Sequence, residues 1–164
     1  MDKTDLFNYT IQRLRNIGVE IDDMADLVME LQKQYFEDIT IEECRHHVLS
    51  VLKKREVQHA IITGLELDRL AKEGLVEEPL LSLLRRDDPL YGIDEIIALG
   101  ITNVYGTIGL TNFGYLDKVK MGIIGKLNSK KKEEVNAFAD DLVAAVVAAA
   151  CSRLAHSKKA DFID

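Results

Sequence analysis

The sequence has no apolar run of membrane-spanning length. Its longest, "LVAAVVAAAC" from Leu142 to Cys151, falls well short of the ~20 residues a bilayer crossing needs and predicts a core helix instead. Basic residues are in the minority: 21 Lys and Arg stand against 28 Asp and Glu, for a net charge of -7. That balance excludes a nucleic-acid binder, which needs a basic face. Cysteine is limited to Cys44 and Cys151, too few for a disulfide framework and in keeping with a reducing cytoplasm. The N-terminal "MDKTDLFNYT" has no basic segment leading into an apolar run, so no secretory signal is expected. Neither G-x-S-x-G nor G-x-x-x-x-G-K-[ST] occurs, which sets aside nucleophile-elbow hydrolases and P-loop enzymes.

What is present is helical periodicity. Leu6, Tyr9, Ile11 and Leu14 follow one another at roughly helical spacing before Gly18, and Leu27, Val28, Leu31 and Tyr35 form a second stripe. "TIEE" supplies a capping box, with Thr40 as N-cap and Glu43 three residues on. That third helix runs through Leu52 and either continues or breaks near His59 and Gly64 before Leu65 to Ala71. A short helix is expected over 79–86, another over 93–104, a glycine-opened loop or break at Gly106, Gly109 and Gly114, and a resumed helix over 115–127. "NSKKKEE" reads as the polar start of a long last helix, 131–156. The expectation is an all-α fold of seven or eight helices, residues 1–164 forming one compact domain with the Ala-rich C-terminal helix near its centre. The apolar surplus along 96–116 predicts a face left over for homo-oligomerisation.

Several acids lie where their helical neighbours offer no counter-charge. Asp94 and Glu95 have Leu90, Tyr91, Gly92, Ile97, Ala98 and Leu99 three or four positions away. Asp140 and Asp141 have Asn136, Ala137, Phe138, Val143, Ala144 and Ala145, and Asp117 has only Lys120. Unpaired buried carboxylates are costly and like charges raise one another's pKa, so acids converging on a cavity imply a cation. All-oxygen ligands favour Mg²⁺, Mn²⁺ or Ca²⁺ over zinc. The doublets Asp87-Asp88, Glu77-Glu78 and Glu133-Glu134 read instead as solvated helix ends. His46-His47 after "EEC" lacks the spacing of a zinc module.

"GIDEIIALGI", "FGYLDKVKMGII" and "AFADDLVAAV" resemble, in order, the acidic motifs of the phosphatidylglycerophosphatase A family, and the whole chain resembles most closely its small soluble YutG-like branch. The family pattern is an Asp-Glu doublet, an aspartate followed by lysine, and an Asp-Asp doublet. These fall on Asp94 and Glu95, Asp117 with Lys118 or Lys120, and Asp140 and Asp141. The chain departs from the membrane enzymes in lacking transmembrane helices, in Gly114 where an arginine would precede the aspartate, and in Met121 for the proline expected after lysine.

The resemblance implies a magnesium-dependent phosphatase removing the terminal phosphate of phosphatidylglycerophosphate or a related ester. Asp94, Glu95, Asp117, Asp140 and Asp141 would hold Mg²⁺ (or Mn²⁺) and carry catalysis, with Lys118 on the phosphoryl oxygens. The expected location is cytoplasmic, with lipid substrate met at the inner face of the membrane. Two alternatives stand beside it: a non-enzymatic metal-binding or ligand-sensing helical module, and an all-α nucleotide pyrophosphatase, whose Glu-x-x-Glu pairs are missing here.

Overall fold

The computed structural model describes residues 3–89, 91–130 and 134–160. Among them are nine α-helices and no strand: α1 (Lys3–Asn16), α2 (Ile21–Gln32), α3 (Ile41–Leu52), α4 (Arg55–Lys72), α5 (Leu80–Arg86), α6 (Ile93–Thr102), α7 (Thr107–Val119), α8 (Gly122–Ser129) and α9 (Ala139–Ala160), with a 3₁₀ turn at Asn103–Tyr105. The predicted all-α architecture is the one observed. None of these helices is long and apolar enough to cross a membrane.

Helix α9 is the axis. It packs against α2, α3, α4, α6, α7 and α8, and every residue from Asn136 through Ser152 is buried. Its alanines make this possible, because small side chains on all sides let six neighbours approach closely. Helix α4 comes especially close. A Cβ placed on Gly64 would sit 2.9 Å from Phe138 Cβ and 2.7 Å from Leu142 Cδ1, so glycine is required there by space.

Local signals account for several boundaries. Thr40 Oγ1 accepts from Glu43 N (3.2 Å) while Glu43 Oε2 accepts from Thr40 N (2.9 Å), the capping box read from "TIEE". Helices α5 and α6 fall where 79–86 and 93–104 are expected, whereas three other boundaries differ from the sequence reading. Of the two courses left open beyond Leu52, the chain breaks earlier, at Lys53 and Lys54, and α4 then runs unbroken through His59 and Gly64, where glycine is needed for packing and not for a turn. The expected break occurs at Gly106, at φ 80, but Gly109 and Gly114 lie inside α7, and a second interruption falls at Lys120, in the left-handed region at φ 51 and ψ 55. The stretch 115–127 is therefore divided between α7 and α8. The last helix begins at Ala139, not 131, because the turn before it buries Asn136, Ala137 and Phe138. Positions 131–133 of the predicted helix, Glu133 among them, lie outside the described residues.

Enclosure of α9 predicts that Ala145→Leu overpacks the core. We expect a loss of ~1–3 kcal/mol in thermal or urea unfolding, and an unchanged midpoint would contradict the packing.

Candidate functional site

The first turn of a helix has amide protons with no partner of its own, and α9 starts inside the protein, away from water. A distant aspartate serves it. Asp68, on α4, accepts from Phe138 N (3.2 Å) and Ala139 N (3.1 Å). Burial pushes the Asp68 carboxyl up to about 7, against the opposing effect of these amides. Nothing in the spacing around Asp68 announces this role, since the cap spans 70 positions of sequence.

One residue into α9 stand Asp140, fully buried, and Asp141, 4% exposed. Both lie in the first turn, where the helix dipole favours negative charge; Asp94 and Glu95 occupy the same place in α6. Asp117 lies in the last turn of α7, where the dipole opposes it. For Asp117, Asp140 and Asp141 a counter-charge comes from Lys120, which leaves the end of α7 and turns back over them. Its Nζ is 2.5 Å from Asp117 Oδ1, 2.9 Å from Asp140 Oδ2 and 3.6 Å from Asp141 Oδ1. Burial works against the ammonium, but the Asp140 carboxylate and the Asp117 hydrogen bond hold it above the usual lysine range. Asp141 is raised, first by burial and then by the neighbouring charge of Asp140. Its Oδ1 is buried and accepts no hydrogen bond.

These side chains line an open pocket of about 270 Å³ whose wall includes Asp94, Glu95, Asp117, Lys120 and Asp141. Asp140 lies beneath it, reached through Lys120. The predicted acids are thus gathered at one place, from α6, α7 and α9. Lys118 is exposed and does not line the pocket; Lys120 is the lysine in contact with the acids. Asp87, the C-cap of α5, and Asp88 stand at a partly exposed helix end, as expected, and also belong to the wall. A larger groove of about 370 Å³, lined by Tyr35, Phe36, Ile108 and Thr111 among others, holds no acid, lysine or histidine. His47, far from the acids in sequence, is a core residue whose Nδ1 meets Arg153 Nη1 at 2.6 Å.

The donor set consists of hard oxygens, and Asp141 Oδ1 is a buried acceptor without a donor. Both features fit Mg²⁺ or Mn²⁺. Among the described residues no three acids, histidines or cysteines already stand close enough to grip one ion. The centre of the cluster is taken by the Lys120 ammonium, so cation binding requires side chains to rearrange.

A family model for phosphatidylglycerophosphatase A matches residues 11–156. The chain belongs to the phosphatidylglycerophosphatase A family. It is 54% identical over 144 residues to YutG of Bacillus subtilis, covering 88% of this chain and 87% of that protein. The fold matches the crystal structure of the low temperature requirement C protein from Listeria monocytogenes at a TM-score of 0.92 and 49% identity, covering 96% and 99% of the two chains. It matches YpjQ from B. subtilis at 0.92 and 48%, covering 98% and 99%.

The raised carboxyls give stability a pH dependence. A carboxyl whose folded pKa exceeds its unfolded value keeps a proton that the unfolded chain has released, so folding is progressively disfavoured as pH climbs from about 4 through 7. In EDTA the melting midpoint should therefore fall between pH 5.5 and pH 8. Asp141→Asn should flatten that decline and, at pH 8, exceed wild type by roughly 1–3 kcal/mol; a midpoint that rises with pH in this window would refute the burial argument.

Proposed function

We propose that the protein is a divalent-metal-dependent phosphomonoesterase acting on phosphatidylglycerophosphate or a related phosphate ester. The observation that carries this reading is the acid pocket itself: carboxylates from three helices surround one lysine, and a buried Asp141 oxygen lacks a donor, in a chain of the phosphatidylglycerophosphatase A family.

Asp117, Asp140 and Asp141 would hold Mg²⁺ or Mn²⁺, which when bound supplies Lewis acidity toward a phosphoryl oxygen and lowers the pKa of water. Glu95, exposed at the pocket wall, is placed to accept a proton from incoming water, and Asp94 orients beside it. Asp140, buried to 0% exposure, meets Lys120 Nζ at 2.9 Å at the floor of the site. The phosphoryl-binding role expected of Lys118 is better served by Lys120, whose ammonium already lies at the pocket. The pocket opens to solvent, so the ester's organic part remains outside it. A lipid headgroup presented at a membrane surface and a water-soluble monoester both satisfy that geometry. The chain's net charge of -7 works against approach to anionic lipid.

With Mg²⁺ the purified protein should release phosphate from phosphatidylglycerophosphate or glycerol phosphate, and EDTA should stop it. Asp140→Asn should lose both phosphate release, by at least ~100-fold, and the rise in melting midpoint that cation binding to the native state produces. Retained stabilisation by Mg²⁺ without release from any ester would favour the non-enzymatic metal-binding module.

We also propose self-association through the α6–α7 face, where Ile96, Val104, Leu110, Tyr115 and Val119 are exposed. Such an apolar row marks an interaction surface. Light scattering at tens of micromolar should report a dimer or tetramer, and Leu110→Lys should shift the population toward monomer; a monomeric wild type would end this reading.

A further inference from the structure

Lys120 is both the neutralising charge of the acid cluster and part of the pocket wall, and its surroundings hold the backbone while leaving the side chain room to move. The residue caps α7 in the left-handed conformation, with its N–H donating to Leu116 O at 2.8 Å. Gly125 packs directly on the Lys120 carbonyl, where any Cβ would collide. The main chain at 120 is therefore pinned from both sides. The side chain is a four-carbon stem carrying an ammonium that is only partly buried, at 24% exposure, and it adjoins open pocket volume.

The ammonium sits among Asp117, Asp140 and Asp141, the place that a divalent cation bound by those three carboxylates would take. Two cations a few ångströms apart repel strongly in a partly desolvated site. We infer that Lys120 is an exchangeable internal counter-ion: it neutralises the carboxylates while no metal is bound, and metal binding drives its ammonium out into the pocket, where it faces the phosphoryl group. The inference rests on the metal-site reading above and adds a specific consequence. The metal competes with a side chain of the same molecule, and the residue displaced by it becomes the phosphate-binding cation. The pinned backbone means that the exchange needs rotation about side-chain torsions alone.

The test uses full-length protein stripped with EDTA and titrated with Mn²⁺, following metal occupancy by electron paramagnetic resonance and lysine reactivity by acetylation with mass spectrometry. In EDTA, Lys120 should acetylate more slowly than exposed Lys118. Saturating Mn²⁺ should raise Lys120 labelling by ~5-fold or more and leave Lys118 unchanged, since release from three carboxylates exposes the amine. Lys120→Met should bind Mn²⁺ ~10-fold more tightly than wild type because the competing cation is gone, while Lys120→Arg should not. Mn²⁺ bound with Lys120 still protected overturns the exchange and leaves the metal site standing. No Mn²⁺ binding by wild type or Lys120→Met at millimolar concentration overturns the metal site and the exchange together. The labelling arm uses wild-type protein, so it decides the question even where a variant fails to fold.

Discussion

The structure depends on enclosing one helix on every side. Helix α9 has no solvated face through its first four turns, so the amides and carboxylates of its first turn are largely withdrawn from water. Buried polar groups must then find partners in the protein or cost several kcal/mol. The partners come from α4 and from the α7–α8 junction. Asp68 takes the amides, and Lys120 takes the carboxylates. Packing by alanine at the centre and charge placement at the end of the same helix are two aspects of one constraint.

That constraint also explains why the site is at this end of the bundle. Helix N-termini attract negative charge, and the first turns of α6 and α9 both open at the acid pocket with acidic doublets. Dipoles alone do not suffice for Asp140, which has no exposure, or for Asp117 at an unfavourable helix C-terminus. A mobile cation on a fixed backbone meets both needs. The same fixed backbone requires glycine at 125, and the left-handed turn at 120 directs the lysine stem back over α9 instead of onward along α7. Residues with no chemistry of their own thereby set where the charge sits.

The acids of this pocket are held in tension between burial, which favours protonation, and a cation, which favours ionisation. Among the described residues Lys120 is the cation in contact with Asp141, whose pKa stays raised and whose Oδ1 accepts no hydrogen bond. Perturbed carboxyls in a solvent-open pocket are a recurring mark of function. A core that only needed stability would have replaced the pair with apolar residues at little cost.

The helices, the Thr40 cap and the isolation of the acidic doublets were legible in the sequence, because each depends on residues within about one turn of one another. The family motifs were legible for the same reason: each is short and contiguous. Three features were not. Asp68 acts on amides 70 positions away; Asp87 and Asp88 become pocket wall only when the fold brings them to the same pocket as Asp94, Glu95 and Asp141; and the choice of Lys120 over Lys118 turns on a left-handed residue and on Gly125 behind it. Helix α9 itself shows the division. Its alanines announced a core helix, whereas its first residue was decided by Phe138 packing on Gly64 and by Asp68 reaching the freed amides. Periodicity and capping are properties of neighbouring residues and can be read along the chain. Charge compensation in a buried site is a property of distance in space, and only the tertiary fold assigns it.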